Sequence, residues 1–130
     1  MIVRTVEEIA GTDRDVAGAG WRSRRIVLGA DGMNFSLHWT EIAAGAEMTL
    51  WYKNHYEANL IIDGTGEVED VATGERHALA PGSMYALEQH DRHVLRATTD
   101  LKIACVFWPA LTGRETHDAD GSYNLPDAAG

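Results

Sequence analysis

Short runs rich in β-branched and aromatic residues, separated by glycine-containing turns, dominate the chain after its first twenty residues. The turn dipeptides Asp31-Gly32, Asp63-Gly64, Thr73-Gly74, Pro81-Gly82 and Thr99-Asp100 mark most of the breaks between these runs. The pattern predicts nine strands, over residues 24–28, 34–42, 47–53, 58–62, 66–71, 76–79, 84–87, 93–97 and 101–108. Many short strands at such close spacing indicate an all-β sandwich or barrel.

The N-terminal segment has a different pattern, which is typical of a helix start. Thr5 is followed three residues later by Glu8, the arrangement of a capping box, so a short helix is predicted over about residues 6–11. No repeat of fixed period divides the chain. We therefore expect one domain over residues 1–125, followed by a small, polar, frayed tail over 126–130.

Charge and composition exclude several classes of function. The 130 residues carry a formal net charge of −9, and such an acidic chain lacks the basic field that holds phosphate backbones, so nucleic-acid binding is not expected. No apolar run approaches the roughly 20 residues of a membrane span, and no apolar segment follows Arg4, so neither a membrane anchor nor a signal peptide is predicted. The single cysteine, Cys105, fits a reducing cytoplasm.

In the middle of the chain, glycines and potential metal ligands have the spacing of two known barrel motifs. Gly45, Glu57 and Gly64 follow the first cupin motif, although Trp51 and Lys53 stand where a His-x-His pair is usual. Pro81-Gly82, Tyr85 and His93 resemble the second cupin motif. The two motifs predict a single-domain, jelly-roll-like cupin β-barrel, but leave the function open because this fold supports many chemistries.

Three residues of these motifs could bind a metal ion. Glu57, Tyr85 and His93 would supply a carboxylate oxygen, a phenolic oxygen and an imidazole nitrogen, a set that suits Fe(II), Mn(II) or Zn(II). The alternatives are that Glu57 lies on a solvated strand face and that His93 is an ordinary polar strand residue. His90 is a rival to His93 on composition alone.

Further polar and aromatic residues fall in pairs spaced by two, and in a strand such pairs share one face. The pairs are Ser23 and Arg25, preceded by Trp21; His38 and Thr40; Cys105 and Phe107; and Glu115 and His117. Inward-facing polar groups are costly unless they contact a ligand, a metal or each other, so the pairs are candidates to line a site. The alternatives are a solvent-facing surface and, for Cys105 and Phe107, an ordinary core.

Four stretches together resemble the L-ectoine synthase family of cupin enzymes, over about residues 1–125. They are residues 52–58 (YKNHYEA), 87–93 (LEQHDRH), 104–117 (ACVFWPALTGRETH) and 120–123 (DGSY). The resemblance implies cyclisation of N-γ-acetyl-L-2,4-diaminobutyrate to ectoine with loss of water, by a cytoplasmic homodimer. His38, Trp39 and Trp51 stand in stretches that look atypical for the family.

The resemblance also implies roles for individual residues. It places iron at Glu57, Tyr85 and His93, with Mn(II) or Zn(II) as alternatives. Glu115 and His117 are the candidate bases, and Tyr52 is a further expected catalytic position. The expected substrate-binding positions are Trp21, Ser23, Arg25, His38, Thr40, Tyr52, Cys105, Phe107, Glu115 and His117. Two other classes of function stay open: a cupin dioxygenase that uses the same Fe(II) site, and a non-enzymatic cupin that binds a sugar or effector.

Overall fold

The computed structural model describes residues 1–113 and 116–123. In these ranges the chain forms one short α-helix, α1 (Val6–Ile9), one 3₁₀ turn (Gly29–Asp31) and ten strands. The strands are β1 (Asp15–Gly18), β2 (Trp21–Val27), β3 (Ser36–Ile42), β4 (Glu47–Leu50), β5 (Tyr56–Asp63), β6 (Gly66–Asp70), β7 (Arg76–Leu79), β8 (Met84–Ala86), β9 (His93–Ala97) and β10 (Leu101–Trp108). All nine predicted strands are confirmed, with differences at their ends.

The strands form two antiparallel sheets that enclose one core. The six-stranded sheet has the order β1-β2-β3-β10-β5-β8, and the four-stranded sheet has the order β4-β9-β6-β7. Strand β10 lies at the centre of the larger sheet, and its burial alternates strictly: Leu101, Ile103, Cys105 and Phe107 are buried, while the residues between them are more exposed. This alternation is the expected signature of a sheet with one face packed on a core. The all-β prediction is therefore confirmed.

Helix α1 carries the predicted capping box. The backbone N–H of Glu8 donates to the Thr5 hydroxyl at 3.2 Å, and the Glu8 carboxylate accepts from the Thr5 N–H at 3.4 Å. The helix ends at Ile9, two residues earlier than predicted, and Gly11 then adopts a left-handed conformation with φ of +77°. In the described part of the chain, no helix is long and apolar enough to cross a membrane.

Two strand boundaries differ from the prediction for identifiable reasons. Strand β4 ends at Leu50 rather than at residue 53, because the Trp51 N–H donates to the Gly121 carbonyl and the Lys53 N–H donates to the Ser122 hydroxyl. The C-terminal segment thus takes the backbone partners that a strand would need. Strand β1 was not predicted, since its sequence DVAG has little β propensity; it forms by pairing with β2 along its whole length.

The N-terminal segment is held to the barrel by a buried carboxylate. Asp31 accepts hydrogen bonds from the Arg4 guanidinium at 2.8 and 2.9 Å, from the Leu28 N–H at 2.9 Å and from Arg14 at 3.2 Å. The Arg4 hydrogen bonds are the main reason that the pKa of Asp31 lies well below its ordinary value. A group with a depressed pKa stabilises the fold above its unfolded-state pKa, and this contribution is lost as pH falls.

We expect Asp31→Asn to lower the free energy of unfolding by about 2–3 kcal/mol at pH 7, because two partly buried arginines lose their anion. The loss should be smaller at pH 3. This pH is below the unfolded-state pKa of about 3.9, so part of the stabilisation that the ionised carboxylate gives the wild-type fold is already lost. Urea unfolding of both proteins at the two pH values measures this. An equal difference at pH 7 and pH 3 would show that the carboxylate acts by packing rather than by charge.

Candidate active site

A cavity opens between the two sheets, and most of the predicted site residues line it. Its lining includes residues from β2, β3, β5, β8 and β10, from the loop after β4 and from the C-terminal segment. The predicted residues among them are Trp21, Ser23, His38, Thr40, Tyr52, Glu57, Tyr85, Cys105, Phe107 and His117. Arg25 and His93 are buried beside these residues. Glu115 lies outside the described residues.

Strand register explains why residues so far apart in sequence meet. Arg25 lies opposite His38, His38 opposite Cys105, Cys105 opposite Asn59, and Asn59 opposite Tyr85. These five residues form one row across the larger sheet, perpendicular to its strands. Their neighbours two positions along each strand share the same face, so the prediction from two-residue spacing is confirmed for the pairs on β2, β3 and β10.

Glu57 is buried, with 7% of its surface exposed, so the alternative of a solvated strand face is wrong. Burial raises the pKa of Glu57 to about 8, and the side chain of Asn59 opposes this rise by hydrogen bonding. Tyr85 is on the adjacent strand β8. Burial, followed by the proximity of Glu57, raises the pKa of the Tyr85 phenol well above its ordinary value. A carboxyl and a phenol in these surroundings favour either a proton or a cation.

The two histidines that composition could not separate have different surroundings. His90 Nδ1 is 2.9 Å from the Tyr52 carbonyl oxygen, and its ring stacks on Tyr56 at the surface. His93 is buried, and its Nδ1 donates to the Asp91 carbonyl at 3.0 Å. That bond leaves Nε2 of His93 with its lone pair, and this atom has no hydrogen-bond partner among the described residues. The geometry therefore favours His93 as a metal ligand.

The donor atoms of Glu57, Tyr85 and His93 are of the types that bind divalent cations. The imidazole is oriented through its other nitrogen, which is the usual arrangement of a metal-binding histidine, and burial lowers the pKa of His93 so that the ring is neutral. The rings of Tyr85 and His93 are 6.1 Å apart, centroid to centroid. In residues 1–113 and 116–123, no group of three His, Cys, Asp or Glu side chains is placed to hold a metal, so such a site depends on the phenol of Tyr85.

His117 and Tyr52 form a close polar pair at the cavity wall. Tyr52 Oη is 2.7 Å from His117 Nε2. Burial, assisted by the charge of Arg25, lowers the pKa of His117 to about 4, so this imidazole is neutral at physiological pH. His117 lies in a loop and not in a strand, so the prediction that its two-residue spacing from Glu115 reflects a strand face is wrong. Burial also raises the pKa of Tyr52 well above 10, which keeps its phenol protonated.

Two polar residues that line the cavity, Tyr123 and Asn59, were not singled out as site residues from the sequence. Tyr123 is buried, and its ring stacks on His117 with centroids 4.6 Å apart. It follows a loop without periodicity, so no spacing rule could find it. Asn59 could have been found, since it is two residues after Glu57 in a strand and must share its face. The atypical Trp39 and Trp51 do not line the cavity.

Known proteins match this chain over nearly its whole length. The sequence model of the family described as ectoine synthase matches residues 1–127. The L-ectoine synthase of Desulfosudis oleivorans is 58% identical over 126 residues, which cover 96% of this chain and 98% of that protein. The L-ectoine synthase of Sphingopyxis alaskensis is 55% identical over 123 residues, which cover 95% and 90%.

Solved structures give the same result. The crystal structure of ectoine synthase from P. lautus superposes with a TM-score of 0.87 at 48% identity, covering 100% of this chain and 95% of that one. A Cupin 2 conserved barrel domain protein from Salinispora arenicola superposes with a TM-score of 0.67 at 19% identity, covering 83% and 88%, and shows the cupin fold alone. The predicted cupin barrel is confirmed. The family model matches residues 1–127, and the fold matches that of a solved ectoine synthase. This chain therefore belongs to the ectoine synthase family.

Proposed function

We propose that the protein cyclises N-γ-acetyl-L-2,4-diaminobutyrate to L-ectoine, with loss of water and with a divalent metal bound at Glu57, Tyr85 and His93. One observation carries the proposal: a single cavity is lined by Glu57, Tyr85 and the Tyr52–His117 pair, and His93 and the cation Arg25 are buried beside it. The reaction needs an activated amide, a place for a proton and a partner for a carboxylate, and these residues offer one group for each.

We propose Fe(II) as the bound metal. Mn(II) and Zn(II) are alternatives, because the same donor atoms also bind these ions. Such an ion, when bound, supplies Lewis acidity toward the acetyl carbonyl, which as an amide is a weak electrophile. Glu57 supplies the negative charge of the site. Its burial, which raises its pKa to about 8 without a cation, gives it a strong preference for a positively charged partner.

His117 and Tyr52 handle the proton that the attacking amine must lose. The imidazole is neutral and accepts a proton, while the Tyr52 hydroxyl, 2.7 Å away, can donate to or accept from Nε2. Stacking on Tyr123 and edge contact with Trp21 hold the imidazole ring in place. Glu115, the other candidate base, lies outside the described residues, and its role stays part of the proposal.

The aromatic wall of the cavity bends the substrate and excludes water. The Phe107 ring is 5.1 Å from both Tyr52 and His38, and Tyr123 lies 5.5 Å away. The amine and the amide belong to one molecule, so holding them in a bent conformation supplies much of the acceleration through proximity. Excluding bulk water also favours a reaction in which water is a product.

We expect kcat/KM to rise as pH increases from 6 to about 8, because the attacking α-amine is protonated below its pKa of about 8. His117 should add no inflection near 6.5, since its pKa is lowered to about 4 and it is already neutral throughout this range. Initial rates of ectoine formation at subsaturating substrate measure the profile. An inflection near 6.5 that disappears in His117→Asn would contradict this assignment.

A turnover assay with and without oxygen tests the proposed reaction against its rivals. The proposal predicts one ectoine per substrate consumed, at the same rate in anaerobic and aerobic buffer. Oxygen consumption coupled to product formation would support a cupin dioxygenase. A ligand that is bound tightly and recovered unchanged would support a sugar- or effector-binding cupin.

The proposal also includes a cytoplasmic homodimer. Support comes from the outer face of the larger sheet, where Tyr56, Leu60, Met84 and Trp108 expose between 42% and 60% of their surface. Exposed apolar groups that neighbour one another across strands favour association. The single cysteine, Cys105, is buried and needs no oxidising compartment. Sedimentation equilibrium tests the dimer, and a monomer mass at micromolar concentration would contradict it.

A further inference from the structure

Three buried polar side chains form a hydrogen-bonded chain on the inner face of the larger sheet. Arg25 Nε donates to the Ser23 hydroxyl at 3.4 Å, and the same hydroxyl is 3.1 Å from His38 Nδ1. None of the three exposes more than 3% of its surface. Ser23 and His38 both line the cavity, so the state of this chain of bonds affects what the cavity can bind.

The guanidinium fixes the direction of the second hydrogen bond. An arginine nitrogen only donates, so the Ser23 oxygen accepts from Arg25. The hydroxyl proton of Ser23 then needs an acceptor, and His38 Nδ1 is its one such neighbour among the described residues. His38 Nδ1 is therefore the acceptor, and the proton of the neutral imidazole is on Nε2.

The Nε2–H group of His38 is a buried donor with no partner in the described part of the chain. An unsatisfied buried donor is costly, so an acceptor from a ligand is the expected partner. Burial and the neighbouring charge of Arg25 hold the pKa of His38 well below its ordinary value. The imidazole is thus neutral, with one N–H to offer.

The row across the larger sheet indicates which substrate atom meets this donor. Arg25 and His38 are at one end of the row and Tyr85 is at the other, with β10 and β5 between them. At about 4.8 Å between strands, His38 and Tyr85 are on strands roughly 14 Å apart. An acetyl group directed toward Glu57 and Tyr85 leaves the carboxylate, at the other end of the molecule, facing the Arg25 end.

We propose that His38 Nε2–H donates to the substrate carboxylate beside Arg25, and that Ser23 is a positioning residue that sets the required imidazole tautomer. This inference rests on the proposed function for the identity of the substrate. It gives His38 a role in substrate selection that depends on Ser23. The tautomer itself belongs to the free protein and can be tested without turnover.

Nitrogen-15 NMR of histidine in the free protein tests the role of Ser23. Wild type and Ser23→Thr, which keeps the hydroxyl, should both show the His38 proton on Nε2. Ser23→Ala should show a mixture of tautomers or the opposite one, in a protein that is still folded by circular dichroism. A wild-type proton on Nδ1, or a Ser23→Ala spectrum equal to that of wild type, would overturn the inference.

Two substitutions at His38 test the carboxylate contact. His38→Phe removes the donor, and His38→Gln keeps an N–H near the position of Nε2. For the substrate, His38→Phe should raise KM by about 10- to 100-fold, as expected for a hydrogen bond to a charged group, and His38→Gln should recover most of the loss. The decarboxylated analogue N-acetyl-1,3-diaminopropane, used as a competitive inhibitor, should bind wild type and His38→Phe alike.

If His38→Phe weakened the binding of the substrate and of the decarboxylated analogue equally, the proposed contact with the carboxylate would be wrong. His38 would then contact the part of the molecule that the two compounds share. Absence of ectoine formation by wild type would instead contradict the proposed function and with it the identity of the acceptor. The NMR result on the tautomer would stand in that case. The two failures are therefore distinguishable.

Discussion

Glu57→Gln is expected to abolish stoichiometric metal binding and to lower kcat/KM by about three orders of magnitude. Glutamine keeps the volume of the side chain but removes its charge, and a neutral amide is a weak ligand for Fe(II), Mn(II) or Zn(II). Losing about 4 kcal/mol of Lewis-acid activation corresponds to roughly a thousandfold in rate. Metal analysis after gel filtration, combined with ectoine formation rates, measures both effects.

The same variant should not be destabilised in its metal-free form. Burial raises the pKa of Glu57 to about 8, so the metal-free wild type loses stability as pH rises from the unfolded-state value of about 4.3 through 8. Glutamine cannot ionise, and the variant should lack this decline. Glu75→Gln, at a side chain 70% exposed, is the matched control and should leave metal content and rate unchanged. Full metal occupancy and full turnover in Glu57→Gln would contradict the metal assignment.

Phe107→Ala should lower the free energy of unfolding by about 3–5 kcal/mol and remove most activity. Phe107 is buried at the centre of the aromatic cluster, where its ring contacts those of His38, Tyr52, His55 and Tyr123. Removing it leaves a void that the surrounding strands of the barrel cannot close, and it takes away the surface that bends the substrate. Urea unfolding and steady-state kinetics measure the two losses separately.

Lys102→Ala is the matched control for this substitution. Lys102 is on the same strand, β10, but faces outward, and an exposed change of this kind usually stays within about 0.5 kcal/mol. Phe107→Leu should recover much of the stability but less of the activity, since leucine fills volume without presenting a flat wall. Equal stability losses for Phe107→Ala and Lys102→Ala would contradict the inward orientation of Phe107.

The sequence alone predicted the parts of this fold that depend on periodicity. Alternation along β10 placed Cys105 and Phe107 on one face, and the capping box placed the start of α1. These features are local, because a strand or a cap is determined by residues within a few positions of each other. Strand β1 was missed because its pairing with β2, and not its own composition, makes it a strand.

The site was only partly predictable, because it depends on contacts between distant segments. Composition could not separate His93 from His90; the difference is burial and the bond of His93 Nδ1 to the Asp91 carbonyl. The contact of His117 with Tyr52 joins residues 65 positions apart, and Tyr123 enters the cavity from a loop. No spacing rule addresses such contacts. The sequence motifs identified the family, but only the folded structure shows which of their residues lie close together.

The most direct test of the account is one NMR time course on metal-free protein mixed anaerobically with N-γ-acetyl-L-2,4-diaminobutyrate, to which one equivalent of Fe(II) is added partway through. We expect no ectoine before the addition and steady ectoine formation after it, reversed by a chelator. Ectoine at the full rate before the addition, or none afterwards from folded protein that has taken up the metal, would contradict it.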